Sequence, residues 1–439
     1  MIENAFSFPS ITVITLLGFG TLLAAGAIRR SIPREVSVFG PMLVAVATSV
    51  GALFYRLTVD PYLVSDEVTW HEQSIAVADY LLGHDQLPTG LHGGKEGYPW
   101  IIGPLYAATE PAPLVPIALG MLLFVLLVPV VGALTATATE ELQLPERSAN
   151  RAILFSCYFS ALCPATAIWA PRMLREIICM FLVGIMILGF LKFLAKPRFG
   201  PLVLVALAAT IMLSVRAQVA MGVVAGLLLS GVVVYATKFR SSIARVMIVA
   251  PVFLGIFTLT WTYVDSTADL SVESIALRNQ ALSDASSAFE GGDTAYQAGS
   301  IVDIILFNLP RAAFGPFPHE FNGSGAILLA IISNLFWLFC VVGAVLAIAT
   351  VRNARAIGKP ASRRFPRSVV VMITISLTLV AILSITAGNY GLVVRMRLMP
   401  LMALIPIAAL GYTLWRNRRE NLRSARRSRS ITASRTVVS

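Results

Sequence analysis

Only 13% of the 439 residues are charged, against roughly 25% in a soluble domain, which excludes an ordinary water-soluble enzyme. Cysteine is equally sparse. Cys157, Cys163, Cys179 and Cys340 all fall in apolar runs with no CxxC spacing, so neither a disulfide framework nor a zinc site is expected and their reading is apolar packing. No DxD motif follows the acidic pair Asp66-Glu67, no internal repeat recurs, and MIENAFSFPS lacks the basic start of a cleavable signal. The first apolar run is therefore expected to be a retained helix. In place of these the chain has 57% hydrophobic residues and a formal net charge of +11. That total does not imply nucleic acid before its charges are placed on the two sides of a bilayer, and no nucleic-acid partner is expected.

Eleven apolar segments satisfy the requirement of about 20 residues for a spanning helix. They cover approximately residues 10–28, 38–56, 113–134, 152–170, 174–195, 200–216, 219–237, 246–264, 325–350, 368–387 and 398–415. With the C-terminal tail on the cytoplasmic side, 25 of the 34 Lys and Arg fall inside and nine outside, whereas five of the 23 Asp and Glu fall inside and eighteen outside. The inner face then carries +20 and the outer face −9, which selects an N-out, C-in topology. The fold class expected is an all-α polytopic membrane protein, with a single transmembrane domain over 1–415 and a basic cytoplasmic tail over 416–439. The tail reads as solvated or associated with lipid headgroups. All four histidines and two long loops, 57–112 and 265–324, face outward, and loops of that length are usually functional or disordered.

In the first outer loop, Val68, Trp70, His71, Ile75, Ala78, Leu81 and Leu82 recur near helical spacing and Gly83 can close the helix. This predicts an amphipathic surface helix with Glu72 and Asp79 towards water. A second interfacial stretch, Tyr98 to Ala107, is rich in aromatics, and Gly93, Gly94 and Gly97 around Lys95 form a strap between the two. Asp66 has two compatible readings: a cap for free helix N–H groups, and a carboxylate general base where a lipid-linked substrate meets a water-soluble acceptor.

Arg172, Arg175 and Glu176 follow Pro171 at the expected outer start of a spanning helix. Proline suits a first helical turn, the free N–H groups there favour an anion, and two arginines three apart on one face add multidentate donors for a phosphate or pyrophosphate. The alternative is snorkelling to lipid headgroups or pairing with Glu176. Arg395 and Arg397, after Gly388-Asn389-Tyr390-Gly391, form a second such pair, and Arg216 is a third candidate. In the second loop a short helix is expected over 272–282, a flexible acidic patch at 290–293, and an apolar stretch over 301–313, broken by Pro310 and too short to span. His319 and Glu320 after it read either as ligands of acceptor hydroxyls or as a surface pair, and Asn322-Gly-Ser324 fits a glycosylation acceptor pattern.

Asp66-Glu67, the helix ending Tyr80-Leu81-Leu82-Gly83, then Lys95, Tyr98-Pro99-Trp100, Gly103 and Tyr106 together resemble the first outer loop of GT-C glycosyltransferases, in the protein mannosyltransferase and aminoarabinose transferase group. The likeness covers about fifty residues, and a double proline common after the lysine in that group is here Glu96-Gly97-Tyr98-Pro99. The resemblance implies a polyprenyl-phosphate-linked sugar donor, an outward-facing site, Asp66 as catalytic carboxylate with Glu67 its neighbour, and Lys95, Tyr98 and Trp100 among the substrate-binding residues. The acceptor would be a glycan, lipid or protein. No cofactor is expected, and a divalent metal is not indicated. The run 164–176 and the stretch 388–397 also look like bacterial polysaccharide polymerases, so a polymerase or ligase acting on lipid-linked oligosaccharides stays open, as does a transporter of lipid-linked glycans.

Overall fold

In the computed structural model the residues described are 7–59, 62–63, 66–89, 91, 95–236, 301–315, 326–356, 366–385 and 390–436. Among them every regular element is a helix. In chain order these are α1 (Phe8–Arg29), α2 (Phe39–Val59), α3 (Asp66–Leu81), α4 (Gly97–Thr109), α5 (Leu114–Glu141), α6 (Glu146–Ala161), α7 (Pro164–Trp169), α8 (Glu176–Ala195), α9 (Phe199–Ala236), α10 (Ile301–Phe314), α11 (Ala326–Ala356), α12 (Arg367–Ile385), α13 (Tyr390–Met396) and α14 (Leu398–Thr436). Eight of them, α1, α2, α5, α8, α9, α11, α12 and α14, contain stretches long and apolar enough to cross a membrane. The chain is thus an α-helical, multi-pass membrane protein. The core lies among α5, α8 and α14, whose apolar windows are mostly buried, while α1 and α2 are left largely uncovered, the pattern of peripheral helices facing lipid.

The 38-residue α9 is two helical arms rather than one continuous helix. Its backbone leaves helical geometry at Arg216 (φ −159°, ψ 80°). Gly189 packs against Pro201 and Val205 at one end of α9, and the adjacent Phe190 packs against Gly231 at the other. An unbroken helix at 1.5 Å per residue would separate Val205 from Gly231 by about 39 Å. The chain therefore folds back at Arg216, in agreement with the two segments expected at 200–216 and 219–237.

Side-chain contacts sort the helix ends into two sets. At one end the Glu141 carboxylate accepts from the Ser368 N–H and hydroxyl at 2.9 and 2.7 Å, Arg367 donates to the Leu194 carbonyl at 3.1 Å, and Asn417 reaches Ser148 at 2.9 Å. At the other end Arg56, Asp66, Glu67, Pro171, Arg175, Val215 and Arg395 meet. These are the groupings the charge count assigned to the inner and outer faces. Where α11 packs against α14, a side chain on Gly411 would meet the Gly343 carbonyl oxygen and one on Gly343 would meet Ala408 and Tyr412.

Several expectations are corrected. The span expected at 152–170 starts at Glu146 and is interrupted at Leu162-Cys163, because Pro164 has no N–H to continue the ladder and biases the residue before it away from the helical region. Helix α8 starts at Glu176, so Pro171 is not in its first turn and Arg172 and Arg175 do not share a helical face. Pro310 does not break the apolar stretch, since α10 runs through it to Phe314. The basic tail, for which no secondary structure is expected from the sequence, continues α14 as helix to Thr436, which does not contradict its reading as a solvated or headgroup-associated extension. The expected span at 246–264, the 272–282 helix, the 290–293 patch, the Gly93-Gly94 part of the strap, and His319, Glu320 and Asn322 lie outside the described residues.

Candidate functional site

The helical hairpin of α3 and α4 supplies one side of the site. Helix α3 ends where expected: Gly83 takes φ +76°, a left-handed conformation that costs glycine little, and the Gly83 and His84 N–H groups bond back to the Tyr80 and Asp79 carbonyls at 3.0 and 2.9 Å. Its partner α4 packs tightly because Gly103 lies directly on Ser74 and Val77. The start of α3 is thereby held against the loop between α7 and α8.

The two neighbouring carboxylates at that start have opposite surroundings. Glu67 is buried and fully engaged, accepting from Arg56 at 3.0 Å and from the Met173 N–H at 2.9 Å, with Arg172 at 3.7 Å. Arg56 also donates to the Pro171 carbonyl. Glu67 thus pins α2 and the 171–173 loop to α3, as expected for a buried charge that persists only when paired. The Asp66 side chain is 53% exposed and meets Arg395 at 3.1 Å. It is the first residue of α3 rather than the one before it, and its carboxylate lies at the exposed edge of the arginine cluster.

Glu176, at the start of α8, is fully buried, and its Oε1 takes three donors: Arg216 Nη1 at 3.0 Å, Arg395 Nη2 at 3.0 Å and Arg395 Nε at 3.2 Å. The anion expected at this helix N-terminus is therefore the protein's own carboxylate, which suits the free N–H groups there. Arg175 beside it donates to the Val215 carbonyl at 3.2 Å, an acceptor left over by the break in α9, and lies over the Trp70 ring at 4.5 Å. Burial, aided by repulsion from Arg216, lowers the Arg175 pKa to about 10. For Arg395 the same burial penalty is outweighed by Glu176 and Asp66, so its pKa is raised.

Arg172 and Arg395 both place the guanidinium carbon 5.4 Å from the Trp169 ring centre, within cation–π range. Their side chains are 22% and 18% exposed, which makes them the accessible cations of the cluster. Among the described residues, Arg56, Arg172, Arg175, Arg216 and Arg395 face Asp66, Glu67 and Glu176, a formal surplus of two positive charges.

The other sequence-predicted residues are placed differently. Tyr98 is buried with its ring 5.7 Å from Trp70, one layer behind Arg175, and burial raises its pKa. Lys95 lies in the turn before α4 and its carbonyl accepts from the Tyr98 N–H at 3.3 Å. Trp100 turns outward, edge-on to Tyr80. Arg397 separates from Arg395: it is buried, lies over Trp337, and donates to the Arg311 and Ala312 carbonyls at 2.7 Å and to Asn334, tying α10 to α11. His71, half-buried on α3, is 2.9 Å from the Tyr106 hydroxyl. Sequence reasoning singled out neither Arg56 nor the Trp169 ring as part of the site. Arg56 carried one available signal, being among the nine basic residues outside. All four cysteines are free and buried, and no group of three or more His, Cys, Asp or Glu among the described residues is arranged to hold a metal ion.

A cluster of partly buried guanidiniums beside an exposed carboxylate can bind a phosphate and accept a proton next to it. Comparison of the chain with protein-family models, with curated proteins and with solved structures finds no match.

Proposed function

We propose that this protein is a membrane glycosyltransferase of the GT-C type that moves a sugar from a polyprenyl-phosphate carrier to a glycan, lipid or protein acceptor. In this reading it has eleven spans, N-out and C-in, lies in the cytoplasmic membrane, and works on the extracytoplasmic face. The observation that supports it is the pairing of Asp66 with Arg395, where an exposed carboxylate adjoins an arginine cluster with two surplus charges. A phosphate monoester leaving group needs that surplus, because its charge grows as the glycosidic bond breaks.

The reaction runs as one displacement with inversion. The acceptor hydroxyl oxygen attacks the anomeric carbon, and its proton passes to the Asp66 carboxylate. The bond between the anomeric carbon and the phosphate oxygen breaks, its electron pair staying on the polyprenyl phosphate. Arg172 and Arg395 receive that charge, while Glu176, itself paired with Arg216, holds Arg395 in place. Glu67 sets the position of Asp66 through Arg56 and Met173. Asp66→Asn, nearly isosteric at an exposed site, is expected to lower transfer at least a hundredfold while leaving thermal stability unchanged. Full activity in that variant refutes the assignment.

The excess of arginine over carboxylate also favours a second reading, a polymerase or ligase joining lipid-linked oligosaccharides. Offering a monosaccharide-phosphate lipid and a pyrophosphate-linked oligosaccharide in parallel separates the two.

A further inference from the structure

Arg395 joins two carboxylates of very different standing. Two of its nitrogens grip Glu176, which is wholly buried and shared with Arg216. Its third, Nη1, reaches Asp66, whose side chain is 53% exposed. An ion pair with one half-solvated partner contributes little and breaks easily, whereas a buried one with converging donors is held. The Asp66 contact is thus the exchangeable arm of an otherwise anchored guanidinium. That arm reaches the exposed Asp66 side chain, and the Arg172 and Arg395 guanidiniums both lie over the Trp169 ring, where an incoming phosphate would take the same donor.

We infer that Asp66 and the donor phosphate compete for Arg395 Nη1, so that phosphate binding releases Asp66 to face the acceptor. The inference rests on the donor-site reading above and adds an order to it, donor first and acceptor second. Without a donor, Arg395 occupies one oxygen of the base. With the donor seated, the guanidinium turns its exchangeable N–H to the phosphate, and Asp66 is free to take the acceptor proton. No bond other than hydrogen bonds changes in this step. Asp66 is then both the base and a brake on donor binding.

The competition makes a counterintuitive prediction: removing the base tightens donor binding. Binding of farnesyl phosphate to the detergent-solubilised full chain is measured by calorimetry, with farnesol and inorganic phosphate as arms that separate the tail from the headgroup. Asp66→Asn is expected to bind farnesyl phosphate roughly two- to fivefold more tightly than the wild type, the scale of an exposed ion pair. Glu72→Gln removes an exposed negative charge from the same helix, at a residue with no bond to Arg395, and is expected to change nothing. In an Arg395→Lys background, which keeps the charge but loses the fork of donors, Asp66→Asn is expected to have no effect. Unchanged or weaker binding in Asp66→Asn, or equal tightening in Glu72→Gln, overturns the exchange while leaving the donor site standing. Failure of the wild type to prefer farnesyl phosphate over farnesol overturns the donor site and the exchange together.

Discussion

Replacing Glu176 by Gln keeps the side chain's shape and one hydrogen-bonding oxygen and removes the negative charge that Arg216 and Arg395 share. Both guanidiniums lie 3.0 Å from the same carboxylate oxygen, and the Glu176 side chain is 0% exposed. At a charge separation of ~4 Å and an effective dielectric of ~20, each contact is worth about 4 kcal/mol. The sum is offset by the several kcal/mol needed to strip water from the carboxylate. Loss of the charge also leaves three neighbouring guanidiniums, including that of Arg175, facing one another. A destabilisation of about 3–5 kcal/mol is expected, as for other broken buried pairs. The assay is reversible unfolding in mixed detergent and SDS micelles, followed by tryptophan fluorescence. Glu176→Gln combined with Arg216→Gln is expected to cost clearly less than the sum of the two single changes, since the second removes a charge that the first leaves uncompensated. A loss below ~1 kcal/mol for Glu176→Gln, or additivity within about 0.5 kcal/mol, refutes the view that this carboxylate holds the start of α8, the break in α9 and α13 together.

Other perturbations read other parts of the fold. Burial, only partly opposed by Glu72, lowers the His71 pKa below its ordinary 6.5. The unfolded chain therefore takes up this proton before the native one, and the His71 contribution to stability is intact above pH 6.5 and lost as the pH falls through and below that value. His71→Gln is expected to flatten the fall in melting temperature between about pH 7 and 5. A Gly411→Ala side chain would collide with the Gly343 carbonyl oxygen, so a loss of about 1–3 kcal/mol is expected. Gly18→Ala on the lipid-facing α1, with open space around it, is expected to be neutral or slightly stabilising in the same unfolding assay. Arg397→Gln removes donors from the last carbonyls of α10, and limited proteolysis near Gly315 is expected to speed up while farnesyl phosphate binding is retained.

The surface helix could be read from the spacing of its apolar residues and from Gly83, because amphipathic periodicity and a left-handed terminator are local properties. The two arms of α9 were legible for a similar reason, as each is apolar for the length of a bilayer. The interruption at Leu162-Cys163 was not, although Pro164 stood in plain view, because the apolar run continues on both sides of it. The arginine pairs were misread as pairs. Sequence proximity suggested that Arg395 and Arg397 act together, yet one side chain turns towards Glu176 and the other towards α10, since Arg395 lies on α13 and Arg397 in the turn between α13 and α14. Glu67 and Asp66, adjacent on α3, diverge because consecutive residues on a helix face different neighbours.

Composition and charge by themselves determined that this chain is a helical bundle in a membrane and which loops share a face, because bilayer thickness and the bias of basic residues act on each segment separately. Which carboxylate is anchored and which is exposed, which arginines converge on Trp169, and that Arg395 connects Asp66 to Glu176 were decided only when residues more than 200 positions apart packed together. A charge's role depends on its burial and its partners, and neither is a property of the residue's own stretch of sequence.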